Sequence, residues 1–146
     1  MIRVSRMADY AVLILYQLGT TDQQRHNVES LASATALSSA TVRKIMNILV
    51  GADLVVSHRG ATGGYELARP LASIRLLDAI SALEGPVNLT ACCTDAPDCE
   101  LLENCHLRDK WPSINDIVID TLSRITVADF AYPSLGKVNS SLKVVC

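Results

Sequence analysis

The segment from Val28 to Leu49 constrains the fold more than any other, because two short helical patterns meet there at the break Leu37-Ser38-Ser39. Apolar residues fall at Val28, Leu31 and Ala32 before the break and at Val42, Ile45, Met46 and Leu49 after it. Spacings of three and four put each set on one helix face. Leu37 is expected to act as a buried pin, and Ser38 and Ser39 are both good N-caps for a second helix running from about Ala40 to Val50. This is the pattern of a helix-turn-helix. Gly51 closes the second helix, and Leu54-Val55-Val56 reads as a strand. A turn follows with glycines at 60, 63 and 64, then Tyr65-Glu66-Leu67-Ala68 as a returning strand, and Pro70 ends the unit. Two helices, a strand, a glycine-rich tip and a strand in that order specify a winged helix-turn-helix: a mainly α fold with a small two-stranded wing.

The flanks supply further helices. Met7 to Leu18 is rich in helix formers, apolar nearly all round and followed by Gly19, which predicts a buried helix stopping there. Thr20 to His26 reads as a loop, with Asn27 as the N-cap of the next helix. Ile74, Leu77, Ile80 and Leu83 share a face of a helix that stops at Gly85-Pro86. Thr90 to Asn104 has no periodicity and reads as a loop. From Leu107 onward Trp111, Ile114, Ile117, Val118, Thr121, Leu122 and Ile125 recur at three and four, predicting one long amphipathic helix with Pro112 tolerated near its first turn. The expected organisation is a winged helix over 1–69, a linker helix, cysteine loop and C-terminal helix over 70–130, and a poorly ordered Ser-, Gly- and Pro-containing tail over 131–146.

Composition narrows the function. With 49% apolar and only 4% aromatic residues, the core must be built from aliphatic side chains. The net charge of −2 is unevenly spread: seven Lys and Arg oppose five Asp and Glu up to Arg69, whereas six oppose ten from Pro70 onward. The basic first half permits contact with nucleic acid. No apolar run approaches the roughly 20 residues of a membrane span, and Met1-Ile2-Arg3-Val4-Ser5-Arg6 lacks the features of a secretory signal, so a cytoplasmic protein is expected. There is no CxxC pair, nucleotide-binding glycine motif or Ser/His/Asp set, and no enzyme is expected.

A recognition helix needs an exposed face of short polar and basic side chains that reach base edges. Opposite Val42, Ile45 and Met46 lie Ser39, Thr41, Arg43, Lys44 and Asn47, with Ser38 at the helix start. Arg43 suits a bidentate contact to guanine, while Ser39 and Thr41 suit phosphates or bases. At the wing tip, Arg59 beside Gly60 is placed to enter a minor groove or bind its phosphates. Double-stranded DNA is the expected partner.

Cys93, Cys99 and Cys105 are separated by five residues each, among Asp95, Pro97, Asp98, Glu100, Glu103 and Asn104. Such neighbours do not belong in a core, so the thiols are not explained by packing. Three thiolates on a loop can converge on zinc, copper(I) or an iron–sulfur cluster. Zinc sites favour paired CxxC knuckles, and equal longer spacings suit a larger object, so a cluster is preferred. Cys92 adjoins Cys93 and could replace it, or merely pack; Cys146 receives no role.

In Asp9-Tyr10-Ala11-Val12, Leu37-Ser38, Arg59-Gly60-Ala61-Thr62-Gly63-Gly64-Tyr65, Leu83-Glu84-Gly85 and the cysteine spacing, the chain resembles the Rrf2 family of winged-helix regulators, the IscR- and NsrR-like proteins, from Met1 to about Phe130. Leu83-Glu84-Gly85-Pro86 and the Cys92-Cys93 pair are most similar to its regulators of SUF iron–sulfur assembly. The resemblance implies a homodimer joined through the long C-terminal helix, a [2Fe-2S] or [4Fe-4S] cluster, and repression of target promoters through a pseudo-palindromic operator. Where cluster-binding relatives carry a histidine three residues beyond the third cysteine, this chain has Arg108, whose guanidinium cannot ligate iron. The resemblance offers Asp9 of the partner subunit as fourth ligand. His106 is the second candidate, although on a helix it would point about 100° away from Cys105. Nitric-oxide or thiol-redox sensing, and a zinc-stabilised repressor without a cluster, are the alternatives.

Overall fold

The computed structural model describes residues 3–21, 25–60, 63–94, 96, 98–101 and 103–131. Its elements are α1 (Arg6–Thr20), α2 (Val28–Thr35), α3 (Ser39–Gly51), β1 (Val55–His58), β2 (Gly64–Leu67), α4 (Leu76–Glu84) and α5 (Trp111–Arg124). Short 3-10 turns occupy Leu71–Ser73, Ala91–Cys93 and Val127–Ala131. No helix among the described residues is long and apolar enough to cross a membrane.

The helix starts follow local side-chain chemistry. Ser5 Oγ accepts from the Ala8 amide at 3.2 Å, Asn27 Oδ1 from Ser30 at 2.8 Å and Ser38 Oγ from Thr41 at 3.1 Å, each satisfying an amide with no partner inside its helix. Of the two serines proposed as caps for α3, Ser38 takes the role and Ser39 is the first helical residue. Leu37 is half-buried and packs against the core, in keeping with its role as a pin between the helices.

Ile14 and Leu15 of α1, Leu31 of α2, and Val42, Ile45, Met46 and Leu49 of α3 are fully buried together. Burial of this kind contributes roughly 1.5–3 kcal/mol per large aliphatic side chain. Ile74 and Val127 join the same core from the C-terminal half. They are brought there by a backbone bridge in which Leu76 N donates to Ile125 O at 2.8 Å and Val127 N donates to Ile74 O at 2.9 Å.

The wing pairs antiparallel, with Val55 opposite Leu67 and His58 opposite Gly64. His26 extends it by one rung: its N–H donates to Tyr65 O at 3.0 Å and its carbonyl accepts from Tyr65 N at 2.8 Å. A Cβ on Gly64 would stand 2.9 Å from the His26 carbonyl, so the wing can approach the α2 entry only with glycine there. Gly60 at the tip has a φ of 104°, which side-chain-bearing residues rarely adopt.

Several boundaries differ from the sequence pattern. Gly19 does not stop α1, which continues to Thr20, and α1 leaves Leu13 40% exposed. Gly51 lies within α3, whose cap is Ala52. The helix expected from Ile74 starts at Leu76, because Ile74 and Leu76 are held in the backbone bridge to the segment after α5. The C-terminal helix starts at Trp111 and not Leu107, with Pro112 in its first turn, and it ends at Arg124 so that Val127 can return to the core. Ala61, Thr62, Asp95, Pro97 and the tail from 132 onward, with Cys146, lie outside the described residues.

Candidate nucleic-acid interface and cysteine loop

α3 presents Ser39, Arg43, Lys44 and Asn47 to solvent, opposite its buried face. This follows from the periodicity, since packing Val42, Ile45, Met46 and Leu49 inward leaves the intervening residues outside. Thr41 is half-buried, and its hydroxyl lies 2.8 Å from Ser38 Oγ, so these two engage one another at the helix start. Arg59 and Gly60 are exposed at the wing tip. Between α3, the start of α2 and the wing lies a cleft of about 450 Å³ whose walls include Arg43, Arg59, His58, Glu29 and Tyr65. Arg43 and Arg59, read separately from sequence, thus border the same hollow.

Four contributors to this face, Glu29, Glu66, His58 and Arg25, were not singled out from sequence. Glu29 Oε1 lies 3.7 Å from Arg43 Nη2, an exposed pair at the edge of the cleft. Glu66 is bracketed by His58 Nε2 at 2.8 Å and Arg25 Nε at 3.3 Å, which ties the wing to the segment leading into α2. The hydrogen bond from His58, then that from Arg25, pulls the Glu66 carboxyl below its usual range. The pairing of His58 with Glu66 could be found by folding the two strands about the glycine tip; Arg25 comes from outside that hairpin.

Among its described residues the cysteine region has one short 3-10 turn as its regular structure. Cys92 and Cys93 sit half-buried in that turn, Cys105 is half-buried and Cys99 is exposed. Thr90 Oγ1 lies 3.0 Å from Cys92 Sγ and 3.3 Å from Cys93 Sγ. Among the described residues no three Cys, His, Asp or Glu side chains gather closely enough to hold a metal ion. The donor set itself, three free thiols without a disulfide among the described cysteines, has the soft chemistry a cluster or zinc requires. Any such group would have to draw the loop around itself. His106 and Arg108 are exposed and lie in turns before α5, not on that helix, so the helical offset expected between Cys105 and His106 does not apply. Asp9 is exposed on the first turn of α1, beside a hollow of about 300 Å³ walled by Val4, Val12, Ile80, Leu122 and Phe130 and by no described cysteine.

α5 divides its apolar residues. Val118 and Leu122 turn toward the body, while Ile114 and Ile117 are 44% and 62% exposed. The buried residue of this helix is the polar Asn115, which a count of apolar positions passes over.

A family model described as Rrf2, iron-dependent transcriptional regulator, matches residues 4–133. NsrR of Oceanobacillus iheyensis, an HTH-type transcriptional regulator, is 31% identical over 106 residues, 67% of this chain and 72% of that protein. The structure of CymR, the global cysteine regulator of B. subtilis, superposes with a TM-score of 0.70 at 30% identity, covering 90% of this chain and 97% of CymR. That of T. potens IscR gives 0.64 at 27% identity, covering 89% and 86%.

Proposed function

The chain belongs to the Rrf2 family of transcriptional regulators, which are not enzymes, and from that premise we propose that it is a homodimeric repressor of iron–sulfur cluster assembly genes whose cysteine loop senses cluster supply. The observation that carries the DNA half is the shared cleft of Arg43 and Arg59, one on the recognition helix and one on the wing. α3 would lie in the major groove with Arg43, Lys44 and Asn47 toward base edges and Ser38, Ser39 and Thr41 near phosphates. Arg59 and Gly60 would follow the neighbouring minor groove. The exposed Ile114 and Ile117 of α5 give a second copy an apolar face to cover. A dimer would then read two half-sites about one helical turn apart.

In the sensing half, Cys93, Cys99 and Cys105 supply three thiolates, and Asp9 of the partner subunit or His106 completes the set. A [2Fe-2S] or [4Fe-4S] cluster bound there would supply a core whose loss reports on iron, oxygen or nitric oxide. The chain's contribution is a loop free to close around such a core and a carboxylate on α1, the helix that packs against α3 and α4. Protein purified without oxygen is expected to absorb visible light and to carry iron and acid-labile sulfide. Colourless protein that cannot be reconstituted with either would overturn the cluster reading, and colourless protein loaded with zinc would favour a zinc-stabilised repressor.

One observation favours a second reading. The described thiols are free, and the similar CymR of Staphylococcus aureus has been solved in an oxidized form, so direct oxidation of the loop thiols is the competing signal. Operator binding that responds to a thiol oxidant in iron-free protein would support it.

A further inference from the structure

Asn115 is 4% exposed on a helix whose other positions are half-buried or open. A buried amide is costly unless its donor and acceptor are both used. Here both are. Asn115 Oδ1 accepts from Leu89 N at 2.9 Å, and Nδ2 donates to Val87 O at 3.3 Å. Val87 and Leu89 lie in no helix or strand, so this one side chain replaces a strand partner for that stretch. An amide alone among side chains of this size offers a donor and an acceptor in one fixed plane.

The residue after Leu89 is Thr90, whose hydroxyl stands between the sulfurs of Cys92 and Cys93. Asn88 adds a second tie: with its amide nitrogen turned toward the neighbouring carbonyls, it donates to Cys93 O at 2.8 Å. A hydrogen-bonded chain thus runs from α5 through Leu89 and Thr90 to the first thiols of the loop. Beside Asn115 in α5 is Ile114, exposed together with Ile117.

We propose that Asn115 is a positioning residue for the thiol loop: its clamp on Val87 and Leu89 sets the place of Cys92 and Cys93 and couples them to the exposed apolar face of α5. The coupling rests on the reading of that loop as the sensing element. Movement of Cys93, whether toward a metal, a cluster or another thiol, pulls on an anchor inside the helix that a second copy would cover. Cys92, on the same hydroxyl, moves with it.

The test uses the full chain free of metal. Asn115→Leu keeps the volume and removes both hydrogen bonds. It is expected to raise amide exchange at Leu89 and alkylation of Cys93 by iodoacetamide about tenfold, with exchange at Met46 unchanged. Changes below twofold at both sites, or an equal rise at Met46, would overturn the proposal. Thr90→Val spares the clamp. It is expected to raise Cys93 alkylation several-fold while Leu89 exchange stays as in the wild type, and an unchanged Cys93 rate overturns the proposal even if Asn115→Leu fails to fold. Alkylating the wild-type loop should shift the monomer–dimer equilibrium about threefold or more, and the shift should vanish in Asn115→Leu. Equal shifts in both would break the link to α5. Failure of the wild type to take up iron would overturn the cluster sensor and leave these metal-free readouts standing.

Discussion

The winged half and the cysteine loop are built on opposite principles. In the winged half, Ser39, Arg43, Lys44 and Asn47 stand on α3, whose inner face is fully buried, and Arg59 stands at the tip of a wing whose first strand is anchored by the buried Val55. Among the described residues between Thr90 and Lys110 the only regular element is the turn Ala91–Cys93, and the thiols range from half-buried to exposed. A reader of base edges must hold its side chains still before contact, and packing against a core does that. Beyond the turn tied to Asn115, a loop that closes around a guest needs little order of its own beforehand, because the guest supplies the organising energy. The two regions meet through α5 and the backbone bridge that carries Val127 into the core.

That contrast can be broken by substitution. Met46 is fully buried in α3, and Met46→Ala should lower the unfolding free energy by about 2–5 kcal/mol. With both proteins free of iron, Cys99→Ser in the exposed part of the loop should change it by less than about 0.5 kcal/mol, and the variant should take up no iron or sulfide on reconstitution. Chemical denaturation of the two variants would sink the comparison if their losses were alike. The next largest effect belongs to Arg43→Ala, which should weaken operator binding by about 1–3 kcal/mol and relax specificity at one base pair per half-site. Weakening that is uniform across mutated operators would make Arg43 a phosphate contact. Arg59→Ala should act mainly through charge, flattening the salt dependence by about one phosphate's share per wing; an unaltered slope would remove the wing from the interface.

The smallest expected effect is that of acid on the wing. Because His58 and Arg25 hold the Glu66 carboxyl below its ordinary value of 4.5, its bracket contributes fully above that pH. The contribution fades as pH falls through the lower folded value and the carboxylate takes a proton. Glu66→Gln should therefore lose stability relative to wild type at neutral pH, with the gap narrowing as pH falls below 4.5. A gap independent of pH would mean the carboxylate's charge plays no part.

How far the chain could be read from its residues follows the same division. Asn27 was recognisable as a cap by residue type and Ser38 as one of two candidate serines, and the recognition helix because its buried face repeats every three or four residues. The start of α4 was not, since the Ile74–Val127 pairing that sets it joins residues far apart in sequence. Glu66 is held by Arg25 from another segment, and Asn115 is buried because it serves the backbone of Val87 and Leu89, both relations between distant positions. The three thiols were picked out by residue type and spacing and Asp9 by the family resemblance alone, and within one chain the described residues do not assemble them. Their proposed union requires a guest and a second copy.

The most direct measurement compares operator affinity of iron-loaded and iron-free wild-type protein, without oxygen and at one salt concentration, on the promoter of a cluster assembly operon. Occupancy of the loop should shift the dissociation constant by about five- to a hundredfold, the usual span for coupled sites. Equal affinity of the two forms, with the loaded form verified by its iron and sulfide content, would contradict the account.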